Sequence, residues 1–265
     1  MWVDVALISL LLFLSLGIIY SLSVLLAVIK YWNYTLTVHD ERLQYEAGLF
    51  NRVACGFRKH KLQTVIIRQS FVAGLLKRYS LEIRQTNEAM AKQGVPSQGF
   101  MIPVITETQL QQIMTLLALD EFSWQKTLPV QIFWRTLFAG GLLTLFVAII
   151  VIAGVHISPL WISLPIPLIA VWSWKYWHST RYSLTENGFA VKRGLLGYSI
   201  SYIPQIKVQK ICLEQGPIGH TGNHGKLKLW SGATREAIGY VDMTALRICQ
   251  ETILQKVSGH RGRWM

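Results

Sequence analysis

Few side chains in this sequence have the types and spacing to do chemistry, and they do not converge. The chain has four aspartates, ten glutamates and seven histidines, and no two carboxylates share a motif that would set one as acid and the other as base. There is no GxSxG, no HExxH, no phosphate-cradling P-loop and no GxGxxG. His220 and His224 bracket the stretch Gly219-His220-Thr221-Gly222-Asn223-His224-Gly225. Histidines four apart hold a metal well on a helix, but this stretch is too glycine-rich for one and reads as a surface loop. The cysteines Cys55, Cys212 and Cys249 are far apart, form no CxxC and are expected as free thiols. No catalytic residue, metal site or cofactor is expected.

Two stretches have the chemistry of binding instead. Arg58-Lys59-His60-Lys61 is a basic cluster suited to anionic headgroups. Phe71-Val72-Ala73-Gly74-Leu75-Leu76 is an apolar run followed by Lys77-Arg78, a composition that suits dipping into a leaflet or docking a partner. Arg58, Lys59, Lys61, Phe71, Leu75, Leu76, Lys77 and Arg78 are the candidate contact residues. The formal charge of +12 does not point to nucleic acid. The chain has no zinc-knuckle spacing, no RNA-recognition signature and no base-reading basic helix.

The elements that position these residues begin with membrane spans. Charged residues are only 15% of the chain, against roughly 25% in a soluble protein. None occurs from Val5 to Ile29, and from Thr136 to Trp174 His156 is the only titratable side chain. Runs of this length cross the ~30 Å hydrocarbon core as helices. The first lacks the basic start and short apolar stretch of a cleaved signal. The second is long enough for two helices, with a turn at Val155-His156-Ile157-Ser158-Pro159 and kinks expected at Pro165 and Pro167. Trp161 and the trio Trp172, Trp174 and Trp177 mark its two interfaces. Lys30, Lys126, Arg135, Lys175 and Arg181 flank the spans, whereas Asp4 is alone at the N-terminus and Val155–Leu160 has no Lys or Arg. Cytoplasmic ends carry the basic excess, so the N-terminus is expected outside and the polar regions inside.

The polar regions repeat. Tyr34-Thr35-Leu36-Thr37 returns as Tyr182-Ser183-Leu184-Thr185, Gly48-Leu49 as Gly194-Leu195, Lys61-Leu62-Gln63 as Lys207-Val208-Gln209, Gln69 as Gln215, and Leu81-Glu82-Ile83 as Leu227-Lys228-Leu229. From the glycine onward the offset is a constant 146. At the tyrosine it is 148, which predicts a longer turn at His39-Asp40-Glu41 than the tight turn expected at Asn187-Gly188. Alternation of Leu43, Tyr45 and Ala47 with Arg42, Gln44 and Glu46, and of Leu227 and Leu229 with Lys226 and Lys228, predicts half-buried strands. Each copy closes on a helical pattern. One is Leu110, Ile113 and Leu117 after a Thr106/Gln109 capping box; the other is Leu246, Cys249, Ile253 and Val257 after Asp242. Six or seven short strands and one helix per copy predict a small barrel or orthogonal sandwich with a helix at one open end.

Tyr182–Thr185, Gly194, Ile203-Pro204, Val208-Gln209, Gln215 and Leu227–Ser231 together resemble the bacterial pleckstrin-homology-like membrane proteins. The first copy departs where Ile-Pro would fall, reading Arg58-Lys59. The resemblance implies an α+β membrane protein: two PH-like barrel or sandwich domains, each capped by a C-terminal helix, plus about three transmembrane helices. The expected division is a span at 1–30, a first domain at 31–124, a hairpin at 131–178 and a second domain at 179–265. The chain is either a shortened relative or a fragment. Eukaryotic phosphoinositide-binding PH domains carry Lys and Arg at the first turn; here that turn reads His39-Asp40-Glu41 and Glu186-Asn187-Gly188, and the acid repels an inositol phosphate. The expected function is a non-enzymatic scaffold in the inner membrane, multi-pass with both domains cytoplasmic, binding a partner membrane protein, with a loose implied link to envelope defence. The alternative is a lipid-binding or lipid-handling component. Membrane lipids, a partner membrane protein and a homo-oligomer are the expected partners, and nucleic acid is not.

Overall fold

The computed structural model describes residues 2–39, 42–85, 100–126, 165–216, 219–220 and 222–259, with isolated helical positions between 137 and 149. The expected hairpin tip at 155–160 and the Asp40-Glu41 turn lie outside these residues. The chain divides into two compact units, Met1–His60 and Lys61–Met265.

The first unit opens with α1 (Trp2–Lys30), 29 residues and so about 44 Å long at 1.5 Å per residue. From Phe13 to Lys30 its mean hydropathy is 2.1. Two of its serines turn their donors back onto the helix: Ser21 Oγ donates to the Gly17 carbonyl at 2.9 Å and Ser23 Oγ to that of Ile19 at 2.8 Å. Among the described residues α1 is the one helix long and apolar enough to cross a bilayer. Strands β1 (Thr35–His39), β2 (Arg42–Ala47) and β3 (Val53–Arg58) then form an antiparallel sheet in that order. Leu43, Ala47 and Phe57 are its buried positions, as the period of two in β2 predicted. Gly48, at φ 121°, makes the β2–β3 turn. A Cβ there would lie 2.1 Å from the Asn51 carbonyl oxygen, so only glycine fits. The turn is fastened to the end of α1: Gly48 N–H donates to the Trp32 carbonyl at 2.9 Å and Leu49 N–H to that of Ile29 at 3.0 Å.

The second unit contains β4 (Leu62–Gln69), α2 (Phe71–Leu75), β5 (Tyr79–Gln85), β6 (Phe100–Ile105) and α3 (Glu107–Leu116). After the short β7 (Gln125–Lys126) and α4 (Pro165–Ser179) come β8 (Arg181–Leu184), β9 (Gly188–Arg193) and β10 (Tyr198–Pro204). The unit ends with β11 (Val208–Glu214), β12 (His224–Ser231), β13 (Arg235–Asp242) and α5 (Met243–Gly259). Pro165 and Pro167 stand in the first described turn of α4. Chain approach near α4 is close: a Cβ on Gly140 would fall 2.5 Å from Ile169 Cγ2.

The duplication holds residue by residue. Cys55 stands opposite Tyr45 as Ser201 stands opposite Val191, and Val65 stands opposite Ile83 as Ile211 stands opposite Leu229. Even the register slip recurs, between Leu62 and Thr64 in β4 and between Val208 and Lys210 in β11. Both predicted caps form. Thr106 and Gln109 make the capping box, with Leu110 and Ile113 buried in α3. Asp242 accepts from the N–H groups of Thr244 and Ala245 at 3.0 and 3.2 Å, and Leu246, Cys249 and Ile253 are buried in α5. These three join Tyr182, Phe189, Val191, Ile203, Leu227, Leu229 and Ile238 in one core.

Three findings differ from the sequence reading. First, the repeats do not close as two separate sheet systems. Strand β4 pairs antiparallel with β10, so β6-β5-β4-β10-β9-β8-β7 is one seven-stranded sheet crossing both copies. Apolar side chains drive the join: Ile67 lies opposite Ile200 and Val65 opposite Tyr202, all four buried. Polar groups complete it. Thr64 Oγ1 sits 3.1 Å from Ser231 Oγ and 2.6 Å from Thr234 Oγ1, and Gln63 Oε1 accepts from Gly232 N–H at 3.2 Å. Second, the turn in the first copy is not longer. His39 pairs with Arg42, and 146 residues on Thr185 N–H donates to the Gly188 carbonyl at 2.9 Å, so two residues lie between in both copies. Leu36 stands opposite Tyr45 as Tyr182 stands opposite Val191, so the structural counterpart of Tyr182 is Leu36 and not Tyr34. Third, Gly188 begins β9, and its glycine serves packing: a Cβ would fall 2.1 Å from the Tyr202 ring. The loop before it is held by Asp120, which accepts from Asn187 N–H and Nδ2, both at 2.9 Å. Burial alone would raise the Asp120 pKa, but these hydrogen bonds and the nearby Lys256 charge bring it below the usual carboxylate range.

Candidate functional site

The most distinctive surface of the second unit is α2, a short helix set between two paired strands. Ser70 caps it, its Oγ accepting from Ala73 N–H at 3.3 Å. At its other end Lys77 N–H donates to the Gly74 carbonyl at 3.1 Å and Arg78 N–H to that of Ala73 at 2.8 Å. That double closure is a Schellman ending, and it puts Lys77 at φ 50°, where glycine is usual. The same turn ends α3 with Ala118 at φ 51°. Gln69 Nε2 reaches the Arg78 carbonyl at 3.2 Å and ties the base of the excursion shut.

A turn this well closed keeps its apolar side chains outside. Phe71 is 59% exposed, Val72 59%, Leu75 72% and Leu76 66%. Leaving such side chains in water forgoes roughly 1.5–3 kcal/mol each relative to burial. Lys77 and Arg78 are exposed beside them and form no ion pair with a carboxylate among the described residues. Arg68, one strand-end away, is instead bound to Glu82 at 2.9 Å.

Sequence reasoning missed a fifth apolar residue at this end of the sheet. Tyr198 pairs with Gln69, so the β9–β10 turn lies against the start of α2. Contact is close enough that a Cβ on Gly197 would fall 2.3 Å from the Gln69 carbonyl oxygen. That turn carries Leu196, 61% exposed. The signal was present in the repeat, since Gly194-Leu195-Leu196 matches Gly48-Leu49-Phe50. Behind the turn, Lys192 Nζ lies 4.2 Å from the Tyr198 ring centre, and burial followed by the Arg181 charge lowers its pKa.

The remaining candidates, Arg58 and Lys59, belong to the first unit. Arg58 is exposed at the end of β3 and stands directly opposite exposed Arg42, an addition to the predicted basic cluster. Like charges so placed oppose the sheet and attract an anion. Lys61 is exposed at the start of the second unit. In the same first unit the β2–β3 turn projects Phe50, 84% exposed, beside the end of α1. His220 is exposed and His224 opens β12, and the described residues contain no cluster of three or more metal-ligating side chains.

A model of the bacterial PH domain matches the chain twice, over residues 3–120 and 132–257. No curated protein matches it.

Proposed function

We propose, from the premise that this chain belongs to the bacterial PH domain family through both of its halves, that it is a non-enzymatic, membrane-anchored scaffold. Its tandem PH-like domains, 31–124 and 179–265, face the cytoplasm, and α2 makes the main contact with a partner membrane protein. The observation that carries this reading is the exposure of Phe71, Val72, Leu75 and Leu76 on a rigidly closed turn beside Lys77 and Arg78. The matching stretch of the second copy reads Pro217-Ile218-Gly219-His220-Thr221-Gly222, with Ile218 its one large aliphatic side chain, so the fold itself does not require the full apolar run. Anchoring rests on α1, and a hairpin at 131–178 supplies two further spans. The close approach of Gly140 to Ile169 supports it, since small residues let membrane helices touch.

A photoreactive residue placed at Leu75 in intact membranes tests the contact. Crosslinks to a protein, lost when Leu76→Ser is added, support the scaffold; labelled lipid without protein supports the second reading. Leu75→Ser with Leu76→Ser should lower partner recovery in mild detergent while leaving the thermal unfolding of the chain within a few degrees. Unchanged recovery would show that α2 is not the contact.

The second reading, lipid binding, is favoured by Phe50. Its turn is hydrogen-bonded to the last turns of α1, so an α1 that spans the bilayer puts Phe50 at headgroup depth with Trp32. A photoreactive residue at position 50 should then label lipid; labelling of protein alone would refute it.

A further inference from the structure

We propose that Lys126, Arg181 and Lys192 form a headgroup site for an anionic phospholipid, on β7, β8 and β9, where the chain leaves the sheet for the apolar run 136–174 and comes back. The choice of a lipid rests on the membrane hairpin of the proposed function. The row of cations does not, and neither depends on any contact made by α2.

The site is one register row. Lys126 stands directly opposite Arg181, and Arg181 directly opposite Lys192. From Lys192 the row continues to Ile200, Ile67, Leu81 and Ile102, so it crosses all of the seven-stranded sheet. Its character changes midway. The four aliphatic members are buried, whereas Lys192 and Arg181 are half-buried and Lys126 is exposed. Directly opposed residues share one face of a sheet, with Cα atoms about 4.5–5.5 Å apart, and like charges so placed destabilise it. Three cations in succession on neighbouring strands therefore oppose the fold, and an anion held among them removes that opposition.

No carboxylate supplies it. Among the described residues none of the three forms an ion pair with an acid. Two acids of the same unit are engaged elsewhere: Asp120 is hydrogen-bonded to Asn187, and Glu107 bears on the Tyr198 phenol. Lys192 is flanked instead by aromatic faces, its Nζ 4.2 Å from the Tyr198 ring centre and 5.8 Å from that of Trp124. Burial, then the Arg181 charge, lowers its pKa, with no acid to offset them.

The place of the row identifies the anion. Only Thr180 separates Arg181 from α4, the returning span of the proposed hairpin, and its N–H still donates to the Tyr176 carbonyl at 3.3 Å. The later turns of α4 expose Trp172, Trp174 and Tyr176, side chains typical of a membrane interface. Lys126, at the end of β7, is where the same excursion begins. On that hairpin the row stands at headgroup depth, where lipid phosphodiesters are the anions at hand. The planar guanidinium matches two phosphate oxygens, and the two ammonium groups act as point charges. A net-negative headgroup is favoured over phosphatidylcholine, whose own cation would join the row.

The full chain, purified in a neutral detergent, is titrated with phosphatidylglycerol, phosphatidylcholine or inorganic phosphate. Native mass spectrometry counts bound lipid, and thermal unfolding is followed alongside. Phosphatidylglycerol should be retained and should raise the melting temperature; the other two should do neither. Arg181→Gln and Lys192→Gln should each weaken phosphatidylglycerol binding about fivefold, and Arg181→Lys by less, because it keeps the charge and loses only the fork. Without lipid, Arg181→Gln should melt no lower than the wild type, since it relieves repulsion; a lower value would mean that Arg181 serves packing and would overturn its place in the site. If Arg181→Gln does not accumulate, Lys126→Gln, at the exposed end of the row, gives the same reading. Unchanged phosphatidylglycerol binding in the glutamine variants would overturn the proposal, and so would equal stabilisation by inorganic phosphate. The hairpin is read separately, by labelling His156→Cys with an impermeant maleimide from outside intact cells. Labelling there without phosphatidylglycerol selectivity overturns the site alone; selectivity without labelling supports the site and overturns the hairpin.

Discussion

Strands β4 and β11 come from the same pattern and meet different fates. Both follow a three-residue helical turn, both slip register at the same place, and both pair with the next strand at matching positions. Strand β4 lies between β5 and β10, and its residues from Leu62 to Ile67 are all buried. Strand β11 lies at the edge of a three-stranded sheet, and only Val208 is fully buried along it. Sequence repeats thus reproduce the strand and its register, but burial depends on what lies alongside. The sequences have adapted to the difference. Where β4 offers Gln63 and Thr64 to the Ser231–Thr234 turn, β11 has exposed Gln209 and Lys210, the latter's Nζ lying 5.1 Å from the Trp230 ring centre.

Truncation of matched positions in these two strands should break the symmetry most. Ile67→Ala removes a buried side chain at the join and should cost about 2–5 kcal/mol; Leu213→Ala, at the half-buried twin, should cost less than half as much. Thermal unfolding of the detergent-solubilised chain compares them, and equal losses would mean that β11 is covered as β4 is.

A smaller effect is expected at the turns entering β3 and β10. Gly197 sits where a Cβ would strike the Gln69 carbonyl, while its twin in the first copy is Asn51. Gly197→Asn should therefore destabilise by about 1–3 kcal/mol through overpacking, and Asn51→Gly should stay within about 0.5 kcal/mol. The same melting experiment reads both.

The smallest difference lies in the helix caps. Thr106→Ala should cost about 1 kcal/mol at every pH, because its hydroxyl does not titrate. Asp242 differs: hydrogen bonds from the N–H groups of Ala245 and Thr244 hold its carboxyl below the usual range despite an opposing effect of burial. A lowered folded pKa adds stability that is present above the unfolded pKa and lost as pH falls through the folded one. Asp242→Ala should consequently lower the melting temperature at neutral pH and have progressively less effect on acidification. A penalty that persists in acid would mean that Asp242 acts by packing alone.

Much of this was legible because period and capping are local. Leu43 and Ala47, Leu227 and Leu229, and the Thr106 and Asp242 caps could be read from spacing, and so could the repeat itself. The exposed run at Phe71–Leu76 was legible as composition, but only the closed Ser70-to-Arg78 turn shows its side chains facing outward. The β4–β10 join was not legible from spacing, since edge-to-edge pairing is set by strands more than a hundred residues apart. One hint lay in the strand itself: Val65-Ile66-Ile67 is a continuous apolar run, the pattern of a strand enclosed on both faces. Leu196 escaped notice because a lone leucine in a turn is ordinary until the register places it beside α2.

The two-residue strand β7 is the least substantial element, yet it imposes a parity rule. Gln125 pairs with Tyr182 and Lys126 with Arg181, so the chain leaves and returns to the sheet at neighbouring points about 5 Å apart. Everything between those points is a closed excursion from one side. With both halves of one ladder on the same side of any bilayer, crossings between Lys126 and Arg181 come in pairs or not at all. A single crossing is forbidden there, because it would put the two halves of one hydrogen-bonded ladder on opposite sides of the membrane.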